Sequence, residues 1–221
     1  MKLFIDSANI EEIKEVDGFG IISGVTTNPS IIAKEKIDIK NTIIQMCRII
    51  DGPINIEVSG SKTEEIIREA REYASWHPNI AVKIPMTEKA IKATKILSSD
   101  GIRTNITSIY SANQALLAAI AGASFVSPCL GLIEDSNQEG ISLINEIKTI
   151  FDNYVFDTQI ITYDIRNAHH VTLAAKAGAD IAAVPYSIFK QMFRHPFTDS
   201  NIKNSVEDWQ VIKSLKVPQG V

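Results

Sequence analysis

Several features whose presence would each have named a class of protein are missing from this chain. It has two cysteines in 221 residues, Cys47 inside a helical pattern and Cys129 beside a strand-like run, and their spacing fits neither a metal site nor a redox pair. Both read as free thiols. No run of lysine and arginine is long enough to offset a formal net charge of −4, which excludes a general attraction for nucleic acid. No apolar stretch approaches the ~20 residues of a membrane span, and Met1-Lys2-Leu3-Phe4-Ile5-Asp6 enters a strand-like run without a leader. The expectation is a cytoplasmic protein that meets neither membrane nor nucleic acid. Gly18-Phe19-Gly20 has Ser23 where a dinucleotide fingerprint needs its third glycine, and no Gly-Lys-Ser/Thr phosphate loop occurs. His169 and His170 are adjacent, with no HExxH pattern around them, so no metal is expected.

What is present is a recurring apolar pattern. Runs rich in Ile, Val and Phe occur at 2–6, 21–26, 54–58, 80–84, 103–107, 125–129, 159–163 and 180–184, separated by amphipathic segments. That alternation is the sequence form of strand and crossover helix repeated. Helical patterns begin near Ser7, Pro29, Ser61, Thr87, Ser111, Asn137, Arg166 and Tyr186, and 38–50 forms a full helix after the short one at Pro29. In Ser61-Lys62-Thr63-Glu64-Glu65 a hydroxyl and a carboxylate are placed to cap a first turn. A last helix over about 201–213 follows the turn-rich Arg194-His195-Pro196-Phe197. With 45% hydrophobic and 22% charged residues the chain can bury a full core. Eight strands each trailed by a helix predict a single-domain (β/α)8 TIM barrel over 1–221 with an extra C-terminal helix. A doubly wound open sheet is the runner-up, because periodicity does not show closure.

One run stands apart. Ile80-Ala81-Val82-Lys83-Ile84-Pro85 has the pattern of a strand buried on both faces, yet carries an ammonium near its end. Removing such a charge from water costs several kcal/mol or more unless it pairs or neutralises. Lys83 either sits at a strand end and reaches solvent, or is an amine held in a partly apolar pocket where it can attack a carbonyl. The other strand ends are polar too. Asp6, Thr26-Thr27-Asn28-Pro29, Glu57, Asn105 and Thr107, Ser127 and Asp164 follow their apolar runs, which is where a parallel barrel places its chemistry. Taken singly, Asp6-Ser7, Asn28-Pro29 and Thr107-Ser108 read as ordinary caps and turns. Together they put one amine, several carboxylates, two carboxamides and several hydroxyls around one mouth, a set suited to a polyhydroxylated substrate.

Gly24-Val25-Thr26-Thr27-Asn28-Pro29-Ser30, Val82-Lys83-Ile84-Pro85 and Asn105-Ile106-Thr107, with the opening Phe4-Ile5-Asp6, resemble the transaldolases, and particularly their short branch, which also contains fructose-6-phosphate aldolase. The resemblance runs over nearly the whole chain. It implies a Schiff-base transaldolase that moves a dihydroxyacetone unit from a ketose donor to an aldehyde acceptor and needs neither metal nor cofactor. It implies Lys83 as the nucleophile and Asp6 as the group that takes the C4 hydroxyl proton and returns it to the acceptor. Glu57 and Thr107 match the pair that holds a catalytic water. Thr26 and Cys129 fall at substrate positions, and Asn28, Asn105 and Ser127 match positions that grip the hydroxyls of the three-carbon unit. A ring-like homo-oligomer is implied as well, a decamer in the short branch, with the C-terminal helix against a neighbouring subunit.

The chain also departs from the family's pattern. Glu57 stands where transaldolases have glutamate and the aldolase glutamine, and Cys129 where the aldolase has tyrosine, which favours transfer over cleavage. Ser127-Pro128-Cys129-Leu130-Gly131-Leu132 replaces a phosphate-binding arginine with Leu132, and Asp164 replaces a phosphate-contacting serine. Only Arg166 still matches a phosphate-binding arginine. A phosphate carries about −1.5 to −2 charges, so these exchanges predict a distal group other than phosphate, either neutral and gripped by Asp164 or a sulfonate held by Arg166. Alternatives stay open: a nearby residue such as Arg103 or Tyr163 retains the phosphate; the chain is a fructose-6-phosphate aldolase-type lyase or an ordinary sugar-phosphate transaldolase; or it is a non-catalytic sugar-binding or structural barrel. A deoxyribose-phosphate-type aldolase would share the lysine but leave Thr27-Asn28-Pro29 unexplained.

Overall fold

The structure, a computed structural model, describes residues 1–35, 38–135 and 140–214. Eight parallel strands form a closed barrel in chain order: β1 (Lys2–Asp6), β2 (Ile22–Thr26), β3 (Ile54–Glu57), β4 (Ile80–Pro85), β5 (Thr104–Ile109), β6 (Phe125–Pro128), β7 (Gln159–Thr162) and β8 (Ile181–Pro185). Closure comes from β8 lying beside β1, Lys2 opposite Ile181 through Asp6 opposite Pro185. Each strand lies within two residues of an apolar run read from the sequence, and the open sheet is excluded.

Among the described residues the helices are α1 (Ile10–Asp17), α2 (Pro29–Glu35), α3 (Ile39–Ile49), α4 (Thr63–Ala74), α5 (Glu88–Ser99), α6 (Ala112–Ile120), α7 (Leu130–Asp135), α8 (Gly140–Tyr154), α9 (Ala168–Lys176), α10 (Tyr186–Gln191) and α11 (Pro196–Ser214). Their starts are set by short polar side chains that take up free backbone N–H groups, as Asp38, Thr87, Ser111 and Asn167 do for α3, α5, α6 and α9. At α4 only the carboxylate half of the expected cap forms: Glu65 accepts from the N–H groups of Ser61 and Lys62, whereas the Thr63 hydroxyl donates to the carbonyl of Lys89. The start expected near Asn137 lies outside the described residues. Helix α11 begins five residues before the expected start, because proline is at home in a first helical turn, where its missing N–H is not needed. Helix α7 was not anticipated; six residues are too few to show a helical period.

The core has two parts. Between strands and helices lies the larger, built from outward-facing strand residues such as Ile5, Val25, Ile54, Val82, Ile106, Val126 and Val184 against the apolar faces of the helices. Inside the barrel Phe4, Ala81, Phe125, Ile161, Ile181 and Ala183 form a small separate plug. Gly24 makes room for it, since a Cβ there would stand 2.5 Å from the Phe4 ring. Side chains alternate along a strand, so residues two places on from the plug also face inward, nearer the C-terminal mouth.

Candidate active site

Above the plug and the Asn55 and Asn105 amides the inward register is almost wholly polar. Phe4 gives way to Asp6, Gly24 to Thr26, Asn55 to Glu57, Ala81 to Lys83, Asn105 to Thr107, Phe125 to Ser127 and Ile161 to Tyr163. A cavity of about 280 Å³ opens there, walled by Thr26, Asn28, Glu57, Lys83, Thr107, Ser127, Cys129 and Tyr163, with Ser30, Ser108 and Tyr110 also on its lining.

Among the described residues Lys83 is the only cation on that lining, and its side chain is 4% exposed. The amine donates to the carbonyl of Thr27 at 2.6 Å, lies 3.4 Å from Glu57 Oε2, and stands 5.6 Å from the centre of the Tyr163 ring. Strand register delivers the first partner, since Glu57 on β3 is opposite Lys83 on β4. The second is fixed by Thr27, whose N–H and hydroxyl both donate to the Asn55 carbonyl and so hold its own carbonyl in place. Lys83 thus sits at a strand end but does not reach bulk water.

Asp6, one inward step above Phe4, is off the cavity lining, but its carboxyl feels the charges of Lys83 and Asp164. Burial pushes its carboxyl up to about 6, the negative charge of Asp164 adds to the rise, and the positive charge of Lys83 opposes it. Its Oδ1 is sealed from solvent and has no hydrogen-bond partner among the described residues. A half-buried carboxylate with a value near neutrality at the edge of the cavity is equipped to accept a proton from a bound hydroxyl and give it back.

A layer of amides underlies the cavity. Ser127 Oγ donates to Asn105 Oδ1 at 2.8 Å, Asn105 Nδ2 to Asn55 Oδ1 at 2.9 Å, and Asn55 Nδ2 to the Val25 carbonyl at 3.3 Å. Asn105 is fully buried in this chain and is not on the cavity lining; Ser127 is. Asn28 lines the cavity while its Oδ1 accepts from Ile31 N–H at the start of α2.

At the rim Cys129 lines the cavity and its Sγ donates to Asp164 Oδ2 at 3.7 Å. Burial raises this thiol to about 11, so it stays neutral. Asp164 and Arg166 stand behind Cys129, off the lining, and the Arg166 guanidinium is engaged by both Asp164 and Asp135. Arg103 lies at the opposite end of the barrel, where it precedes β5 and donates to the Pro78 carbonyl, and therefore cannot replace a phosphate ligand at the mouth. Among the described residues no three His, Cys, Asp or Glu side chains come together as a metal-holding set.

Asn55, Ser30, Ser108, Tyr110 and Asp135 were not picked out from the sequence. Alternation had the signal for Asn55, two places before Glu57. Ser108 had none: it lines the cavity with a φ of 56°, a left-handed conformation that only the structure reveals.

The sequence profile of the family described as Transaldolase/Fructose-6-phosphate aldolase matches residues 3–217. A protein of Carboxydothermus hydrogenoformans named "Probable transaldolase" is 54% identical over 213 residues, covering 96% of this chain and 100% of that protein. One of the same name from Agathobacter rectalis is 52% identical over 214 residues, covering 96% of this chain and 99% of that one. Among solved structures, a thiamine phosphate pyrophosphorylase from Pyrococcus furiosus superposes with a TM-score of 0.59 at 16% identity, over 83% of this chain and 85% of that chain. That last likeness is one of fold.

Proposed function

The chain belongs to the transaldolase/fructose-6-phosphate aldolase family, and from that premise we propose that it is a Schiff-base transaldolase that moves a dihydroxyacetone unit between a ketose and an aldehyde. Lys83 adds to the C2 carbonyl of the donor, and loss of water from the carbinolamine gives an iminium that serves as electron sink. Asp6 takes the proton of the C4 hydroxyl as the C3–C4 bond breaks, an aldehyde leaves, and the electron pair rests on the enzyme as an enamine. An acceptor aldehyde meets the enamine, Asp6 returns the proton, and water releases the new ketose. Glu57, 3.4 Å from the amine, and Thr107, on the same cavity wall, hold the water that enters and leaves the carbinolamine. The iminium charge develops between Glu57 and Asp6 with the Tyr163 face beside it, which stabilises it as it forms.

The observation that carries this reading is a buried amine 3.4 Å from one carboxylate and electrostatically coupled to a second that has a free oxygen. Borohydride reduction in the presence of fructose should add the mass of a three-carbon unit to Lys83 in the wild type, and Lys83→Met should show none. A wild-type protein that forms no adduct with any ketose would leave the sugar-binding or structural barrel as the answer.

The donor's distal group we propose to be other than a phosphate, a hydroxyl or a singly charged sulfonate. Its support is that Lys83 is the one cation on the cavity wall among the described residues and that Arg166 is held by two carboxylates. Comparing fructose 6-phosphate, fructose and 6-deoxy-6-sulfofructose as donors tests it, and a clear preference for the phosphate refutes it. Transfer rather than cleavage is the main reaction, because Cys129 is a neutral buried thiol where the aldolase has a phenol. Since Tyr110 and Tyr163 bring phenols to the cavity by another route, the test is direct: without an acceptor, release of free dihydroxyacetone should be much slower than turnover with one. A homo-oligomer is proposed as well, with α11 as the contact.

A further inference from the structure

Behind the cavity wall the structure holds a line of charge that the proposed reaction does not use. Arg166 Nε donates to Asp164 Oδ1 at 3.4 Å and Nη2 to Asp164 Oδ2 at 3.0 Å. The outer edge of the same guanidinium forks onto Asp135, Nη1 to Oδ1 at 2.6 Å and Nη2 to Oδ2 at 2.9 Å. Two carboxylates therefore share one positive charge, and the group carries a net −1. Helix α7 brings Asp135 there, and Gly131 lets it approach: a Cβ at that position would stand 2.4 Å from Arg166 Nε and 2.5 Å from Asp164 Oδ2. A second tie holds the helix. His170 Nδ1 accepts from the Arg166 N–H at 3.4 Å, which leaves Nε2 to donate to Glu134 at 3.1 Å.

We infer that Asp135 is a specificity residue: by occupying the outer edge of Arg166, behind the mouth, it masks a guanidinium that would otherwise bind an anion and leaves an acidic group there, and so sets the charge of the donor that the mouth accepts. A planar fork is the natural ligand for a phosphate, but only while its donors are free. A phosphate dianion must displace Asp135 and leave that carboxylate unpaired beside it. A singly charged group meets the same repulsion with half the charge, and a hydroxyl meets none. Arg166 and Asp135 are 42% and 56% exposed, so water screens the pair and the discrimination is modest rather than absolute.

The assignment to donor choice rests on the transaldolase reading, but the masking is measurable without catalysis. Asp135→Asn keeps the shape and removes the charge, with Asp135→Ala as a second variant. Inorganic phosphate, titrated by calorimetry against the intact protein, should bind these variants about tenfold or more tightly than the wild type. The gain should vanish in Asp135→Asn combined with Arg166→Gln. In donor kinetics, kcat/KM of Asp135→Asn should rise most for fructose 6-phosphate, less for 6-deoxy-6-sulfofructose and not at all for fructose. If both folded variants bind phosphate no better than the wild type, the masking is overturned. If phosphate binding rises but the donor ranking is unchanged, the role in specificity is overturned while the masking stands. Absence of a Lys83 adduct in the wild type would remove the transaldolase reading and leave the titration result intact.

Discussion

Burial and the charge of Asp164 together hold the Asp6 carboxyl at about 6, above its ordinary 3.8, against the pull of Lys83. Two consequences separate function from stability. For catalysis the ionised form is the base, so kcat/KM should fall with unit slope as the pH drops below about 6. Asp164→Asn, which removes a neighbouring negative charge, should move that limb to lower pH. For folding the sign is opposite. The folded chain holds this proton more tightly than the unfolded chain, so the stabilisation is complete below about pH 3.8 and is lost as the pH rises through 6. At pH 8 the ionised carboxylate costs on the order of 3 kcal/mol. Asp6→Asn should therefore abolish turnover yet raise the melting temperature at pH 8, with the difference shrinking toward zero near pH 4. Equal melting temperatures for the two proteins at pH 8 would contradict the strain assigned to this carboxyl.

Four helices end in the same way, and one of the four ends badly. After α5, α6 and α9 the chain turns through Gly101, Gly122 and Gly178 at φ values of 75°, 90° and 81°, and the following N–H bonds back across the last turn. After α8 the same pair of bonds forms, Val155 N–H to Asp152 and Phe156 N–H to Phe151, and the Phe151 and Phe156 rings meet at 5.6 Å. Yet the left-handed position, φ 54°, is filled by Val155, a β-branched residue that is 84% exposed. Left-handed backbone costs a non-glycine residue roughly 1–2 kcal/mol, partly offset by the entropy a glycine loses on folding, and little burial is at stake. Val155→Gly should stabilise the protein by about 0.5–1 kcal/mol, seen as a rise of a few degrees in melting temperature; a fall would mean that the valine makes a contact outside this chain. The two kinds of ending also show what was legible in the sequence. Strands announced themselves because each is an apolar run bounded by polar residues, and the caps of α3, α5 and α6 because Asp38, Thr87 and Ser111 are the residues that do that work. Lys83, Asp6 and Glu57 were readable as strand-end polar groups. Helix α7 was too short to show a period, and the fork between Asp135 and Arg166 joins residues far apart in sequence that meet only once α7 has folded, so the distal end of the cavity was out of reach.

The barrel closes on itself and leaves α11 outside it. No residue of this 19-residue helix is buried, although Ile202, Val206 and Trp209 lie on one face at helical spacing and each is more than half exposed. An isolated helix of this length with an unburied apolar stripe is marginal in water, because helical stability comes mostly from packing such a face. The stripe accordingly supports the proposed homo-oligomer, in which a second copy covers it. Val206→Glu with Trp209→Glu is the informative change. In a lone chain both side chains are exposed, so the substitutions should alter its stability by no more than about 0.5 kcal/mol each. If copies of the chain cover that face, two buried carboxylates without partners should break the assembly. Light scattering after size exclusion should give a mass several times 24.3 kDa for the wild type and one close to 24.3 kDa for the variant, with far-ultraviolet circular dichroism retaining the barrel signal. The melting temperature of the wild type should also rise with protein concentration, and that of the variant should not. A wild type that runs as a single chain at every concentration would show that α11 keeps its stripe for something other than its own kind.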